Sequence, residues 1–242
     1  MEIEGYKFKK LRIAKKQYHI QIPDGDGGWH TLYQIAGTGN SPAFGRSFDP
    51  QLQAMRSVAL KHVKFENTSQ GLHVRPYDTL NGVYRKINRP TELRPGSRFR
   101  IGNYIMTFRE SLMAEPGEPR IIEGERLLAR DLKPLGAIEF LRPDGRPGVR
   151  YPILKPSGVV LGKGGVDQEG REAPVDLFLG GDPKVSARHA RLAPEGLDGD
   201  LAYLEDLESK SGTWLFIEDR SPVAHGDVFW LGELYLRVVE QR

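Results

Sequence analysis

The sequence predicts an all-β fold from three observations. Glycine (28) and proline (17) are plentiful, long stretches of helical periodicity are scarce, and short apolar–polar alternations recur between turn-forming residues. The first alternation, Tyr18-His19-Ile20-Gln21-Ile22, runs into Pro23-Asp24-Gly25 and then Trp29–Ile35, the pattern of a hairpin. Gly45-Arg46 follows an apolar residue. Asp49-Pro50-Gln51-Leu52-Gln53-Ala54-Met55 then carries an N-cap, a first-turn proline and apolar spacing, which predicts a short helix within a loop. His62-Val63-Lys64-Phe65 opens a further strand, Asp78–Tyr84 turns at Asn81-Gly82, and Pro95–Gly102 supplies a glycine turn followed by an alternating strand.

The same series then occurs again. Ala137–Leu141, Pro143-Asp144-Gly145 and Val149–Leu154 repeat the hairpin, with the two Pro-Asp-Gly turns 120 positions apart (143 minus 23). Gly162-Lys163 corresponds to Gly45-Arg46, His189-Ala190-Arg191-Leu192 to the strand opened by His62, and Leu207–Trp214 to Asp78–Tyr84. From Gly82 onward the offset is constant at 130 (212 minus 82, 226 minus 96, 232 minus 102). Between the copies lies Glu115-Pro116-Gly117-Glu118-Pro119, a linker by composition, followed by Glu125–Arg130, which could form one helical turn. The expected organisation is a domain at 1–110, a linker at 111–135 and a second domain at 136–242. The apolar strands Val228–Leu231 and Leu234–Val238 are expected to fill the second core, and Trp214 takes either a core or edge position or one facing a ligand.

Composition narrows the function classes. The chain has 242 residues, no cysteine, 35 basic and 32 acidic side chains. Thiolate metal sites, disulfides and cysteine nucleophiles are excluded, and a reducing, cytoplasmic location is the expectation. Met1–Lys16 is charged throughout and has no apolar run of signal-peptide length, so neither export by that route nor membrane insertion is expected. Residues 1–110 hold 18 basic and 9 acidic side chains (net +9), leaving 17 and 23 (net −6) for 111–242. That asymmetry suits mutual docking of the two halves or an anionic partner, and self-association is a further possible outcome. The basic run lacks interleaved aromatics and no nucleic-acid motif follows it, so nucleic acid is not the expected partner. Gly158–Gly164 is one residue short of a nucleotide-hydrolase phosphate loop and lacks the hydroxyl residue after Lys163. No Gly-x-Ser-x-Gly elbow and no His-Glu-x-x-His spacing occur, so no catalytic residue, metal or cofactor is expected.

The second copy has the residues of a known family. Gly162-Lys163, Val185-Ser186-Ala187-Arg188-His189-Ala190, Asp206-Leu207-Glu208-Ser209-Lys210-Ser211-Gly212-Thr213 and Gly226-Asp227 together resemble the forkhead-associated (FHA) domain, over Gly136 to the C-terminus. The first copy, about Tyr18 to Arg109, resembles it through Gly45-Arg46, His62, Asn81-Gly82 and Gly96–Gly102. The resemblance implies two tandem FHA-type β-sandwiches of antiparallel strands. It also implies motif residues gathered on loops at one end and non-catalytic binding of phosphothreonine peptides, the partner being a phosphorylated protein such as a Ser/Thr kinase or its substrate. A phosphate monoester carries nearly two charges and three acceptor oxygens, so its site needs a cation, hydroxyls and backbone N–H groups on loops held by a rigid frame.

Carried over to this sequence, the resemblance assigns phosphopeptide binding to Lys163, Ser186, Arg188, Ser209, Lys210, Ser211 and Gly212, and a second possible site to Arg46, Lys61, Asn81 and Gly82. His62 and His189 match a position that braces the loops. Lys163 replaces the family's arginine and loses its planar fork. Ser211 replaces the asparagine that holds the peptide backbone, while Ala59 and Leu80 remove two hydroxyls from the first copy. Two functions stay open at this point. One is a phosphothreonine reader led by the second copy. The other is a scaffold or oligomerisation adaptor that binds without phosphorylation.

Overall fold

Alternation becomes strand throughout the described residues of the computed structural model, which are 16–110, 134–155, 157–166, 169–196 and 199–241. The first half forms β1 (Gln17–Pro23), β2 (Trp29–Ile35), β3 (Gly39–Asn40), β4 (Val63–Thr68), β5 (Gly71–Pro76), β6 (Tyr84–Lys86), β7 (Thr91–Leu93), β8 (Arg98–Ile101) and β9 (Tyr104–Arg109). The second half forms β10 (Pro134–Leu141), β11 (Pro147–Leu154), β12 (Val159–Gly162), β13 (Leu177–Phe178), β14 (Ala190–Pro194) and β15 (Ala202–Asp206). It ends with β16 (Thr213–Phe216), β17 (Ser221–Pro222), β18 (Val228–Leu231) and β19 (Leu234–Gln241). The fold is thus all-β. The short helix expected after Asp49 is a single 3-10 turn at Pro50–Leu52, where the Asp49 carboxylate caps the Gln51 N–H (to Oδ1, 2.8 Å). The linker and the Glu125–Arg130 turn lie outside the described residues.

The chain divides into two compact units that do not follow chain order. One comprises Met1–Leu80, Asp219–Val228 and Glu233–Arg242; the other comprises Asn81–Glu218 and Phe229–Gly232. The division at 1–110 and 136–242 therefore cuts across both. In the first unit β19 and β2 flank β1 antiparallel, and a second sheet runs β17-β5-β4-β3. Tyr33 of β2 meets Phe44 edge-on, and Phe44 meets Phe65 of β4, so aromatic rings join these two layers.

In the other unit the order is β11-β10-β9-β8-β16-β6, followed by the Phe229–Leu231 part of β18, facing a sheet of order β13-β12-β14-β15-β7. Among the described residues of this unit, the β12/β13 pair is parallel and the other strand pairs are antiparallel. Phe99, Ile101, Met106 and Phe108 of β8 and β9 are buried with Ile138 and Ile153 of the first sheet and Leu161, Leu192 and Leu204 of the second. These side chains form the core of a β-sandwich. Strands closing the first repeat thus complete the core that begins with the second repeat.

Polar groups support the same pairing. Ala137 to Phe140 of β10 lie antiparallel to Arg109 to Met106 of β9. Glu139, fully buried, receives Arg109 Nη2 at 2.7 Å and Arg150 Nε at 2.6 Å. In the first unit Arg237 of β19 donates from Nε and Nη2 to Gln21 Oε1 of β1. Each first strand finds a polar partner on the closing strand contributed by the other repeat.

Candidate functional site

Three loops of the second unit converge at the ends of β12, β14 and β15. The loop after β12 carries Lys163, whose N–H donates to Ser186 O (3.1 Å), while Gly164 N–H donates to Ala187 O (3.0 Å). That close approach explains Gly162, where a Cβ would collide with the Ala187 carbonyl. The loop before β14 turns on His189. Its Nδ1 accepts Ser186 N–H (3.0 Å), so the ring proton sits on Nε2 and is donated to Gly212 O (3.1 Å). Its backbone N–H donates to Leu161 O, and Leu207 N–H donates to its carbonyl. One buried imidazole therefore ties all three loops together.

The loop between β15 and β16 is built around Asp206. Its carboxylate accepts the Ser209 N–H and hydroxyl and the Thr213 hydroxyl at 2.9, 2.7 and 2.6 Å. Ser209 Oγ in turn accepts Gly212 N–H, and Glu208 adopts a left-handed φ of 56°, a conformation a non-glycine residue rarely adopts. Gly212 has φ 79°, and a Cβ there would strike the methylenes of Lys86. Ser186 Oγ accepts Lys210 N–H (3.1 Å), which leaves its own proton to donate outward. Lys163 and Lys210, whose backbone N–H groups bond Ser186, and Arg188, two residues on, are exposed.

The residues expected at this site thus come together, with two differences in aim. Ser209 directs its hydroxyl into the loop, and Ser211 donates its hydroxyl to Lys184 O (2.7 Å), so both shape the rim. The cause is local: the Asp206 carboxylate and the Lys184 carbonyl need donors, and these two hydroxyls supply them. Trp214 is buried, with Nε1 donating to Ser211 O and its ring edge-on to Trp230, so it takes the core or edge position and not the ligand-facing one. The glycine-rich loop after Lys163 closes on itself through a Val166/Glu172 bridge and Ala173 N–H to Gly165 O. Its described acids, Glu169 and Glu172, face solvent. Sequence reasoning missed Lys86 and Lys184. Lys86 belongs to the first repeat, and only the register Trp214↔Lys86 brings it here.

The first repeat has a parallel frame in the other unit. Ala59 N–H donates to His62 Nδ1 (3.0 Å), His62 Nε2 meets Thr79 Oγ1 (3.1 Å), and Arg46 N–H donates to Ala59 O (2.9 Å). Arg46 is half buried, and among the described residues its Nε has no hydrogen-bond partner. Lys61 is exposed in the same unit, but Asn81 and Gly82 belong to the other, so the second set is not assembled within one unit.

Burial holds the His189 imidazole below its ordinary range, a nearby Lys86 charge adds to this, and Gly212 O, Asp206 and Asp182 offset only part of it. The unfolded state therefore takes up a proton first as pH falls. This unit's stability is expected to be full above pH 6.5 and to decline below it, through the depressed folded value. Chemical denaturation across that range should show the decline, and His189→Gln should remove it while lowering stability at about pH 7.5.

Among the described residues no group of three or more His, Asp or Glu side chains is placed to hold a metal ion, and no helix is long and apolar enough to cross a membrane. Residues 169–232 match the family model of the FHA domain. The match spans Ser186, Arg188, His189 and Ser209–Gly212, and Lys163 precedes it. The FHA domain is a non-catalytic module that binds phosphothreonine-containing proteins in signalling and adaptor proteins. Comparison with curated proteins and with solved structures gave no match.

Proposed function

We propose that this chain is a non-catalytic phosphothreonine-peptide reader, with its site on the loops of the unit containing β10–β16. The observation that carries this is the placement of Ser186. Its hydroxyl is oriented by Lys210 N–H and is flanked by Lys163, Lys210 and Arg188 on loops braced by His189. A phosphate there would receive the Ser186 hydroxyl and the ammonium groups of Lys163 and Lys210. Ser209, Ser211 and Gly212 hold the rim in shape, and Arg188 adds exposed charge. The partner is a phosphorylated kinase or kinase substrate in the same, cytoplasmic compartment, and the two copies together form a tandem FHA protein.

For the first repeat a phosphate-independent docking role is the better reading. Ala59 supplies no hydroxyl where Ser186 stands in the second, while Arg46 and Lys61 remain as cations. This repeat would then serve as a scaffold surface or in self-association.

The experiment is a titration of the full chain with a phosphothreonine peptide and its unphosphorylated twin. Only the phosphorylated form should bind. Lys163→Ala and Ser186→Ala should each weaken binding roughly 10- to 100-fold, the value of one hydrogen bond to a charged group, with thermal stability retained. Equal affinity for both peptides would leave the scaffold reading in its place.

A further inference from the structure

Beside the Lys210–Gly212 rim, one face of the sheet carries cations over aromatic rings. Trp214 lies opposite both Lys86 of β6 and Arg100 of β8, so these three side chains share a face. The Arg100 guanidinium stacks 3.6 Å from the Trp230 ring centroid, and Lys184 Nζ lies 5.5 Å from the same centroid. Trp214 Nε1 donates to Ser211 O, and Ser211 Oγ donates to Lys184 O, which joins this face to the rim. The Lys86 methylenes cover Gly212. Among the described residues neither Lys86 nor Lys184 forms an ion pair, and the nearby Asp182 gives its oxygens to the Lys184 and Asn103 N–H groups. Glu208 is the one acidic side chain of the 207–212 loop exposed to solvent.

The geometry points to a second, acid-selecting subsite. Lys86 and Lys184, seated against the Trp214/Trp230 pair, receive carboxylates of residues flanking the phosphothreonine, so the preferred ligand is an acidic phosphopeptide. This inference rests on the phosphate site proposed above and names its ligand class. Lys86 reaches the site only because β6, a strand of the first repeat, pairs with β16. The subsite therefore depends on both repeats, which a lone second repeat would not supply. Arg100 is held by Gly102 O and Asn103 Oδ1 and serves mainly to keep the face cationic.

Two phosphothreonine peptides of equal length, one with glutamates beside the phosphothreonine and one with glutamines there, test it on the full chain. The glutamate peptide should bind about two- to thirtyfold more tightly, the range for two surface ion pairs, and the ratio should shrink as salt rises. Lys184→Gln, at an exposed position, and the double variant with Lys86→Gln should bring the ratio toward one. A parent ratio of one, or a ratio that survives both variants, overturns the subsite while leaving the phosphate reading intact. If neither phosphopeptide binds while the chain is folded, the phosphate reading falls and the subsite with it.

Discussion

Replacing Phe99 with alanine is expected to unfold or severely weaken the unit that carries the Ser186 loop, although Phe99 lies in the first repeat and Ser186 in the second. Phe99 is fully buried on β8, within the same cluster as Ile138, Leu161 and Leu192. Truncating a buried phenylalanine typically costs about 3–5 kcal/mol, part from lost transfer energy and part from the cavity. That is a large share of a domain's net stability. Hydrogen exchange read by residue should show protection lost along β12, β14 and β15. If the repeats formed separate, consecutive domains, those strands would keep their protection and only residues before 110 would lose theirs.

The second large effect is expected at Glu139. Its carboxylate is fully buried and depends on two arginines, Arg109 of β9 and Arg150 of β11. Burial pushes its pKa up, but hydrogen bonds and charge from Arg150 and Arg109 outweigh this and hold it below the ordinary value of 4.5. Arg109→Ala leaves a buried charge with half its partners. Stability should fall by about 2–3 kcal/mol, below the full cost of a broken buried pair because Arg150 remains and Arg109 is partly exposed. The sign of the pH dependence follows from the depressed value. The stabilisation is present above about pH 4.5 and is lost as pH falls through the folded pKa, so parent and variant should converge in acid. Denaturant unfolding at neutral and acidic pH reads both effects. A difference that persists unchanged into acid would mean that Arg109 acts by packing alone.

Much of the fold was legible because turns and alternation are local properties. Pro23-Asp24-Gly25 and Pro143-Asp144-Gly145 both lie between paired strands, and Gly102 and Gly232, each with positive φ, sit in the turns after β8 and β18. Partner choice was not legible. Arg98–Arg109 and Val228–Gln241 have the same alternation and turn, so periodicity alone cannot say which first strand each will join. That choice depends on side chains far apart in sequence, such as Glu139 with Arg109.

The site divides in the same way. Ser186, His189 and Gly212 were readable because hydroxyl, ring and glycine each meet a local geometric need. The inward turn of Ser209 and Ser211 depends on acceptors at Asp206 and Lys184, and the arrival of Lys86 depends on a strand pairing between repeats.

The most direct test is to follow backbone amide signals of the intact chain while a phosphothreonine peptide is added. The largest changes are expected at Lys163, Gly164, Ser186 and Lys210–Gly212, with the β1, β2 and β19 amides unmoved. Saturating peptide that leaves these loop amides unchanged, or that shifts only residues of the unit built on β1, would contradict a phosphate site on these loops.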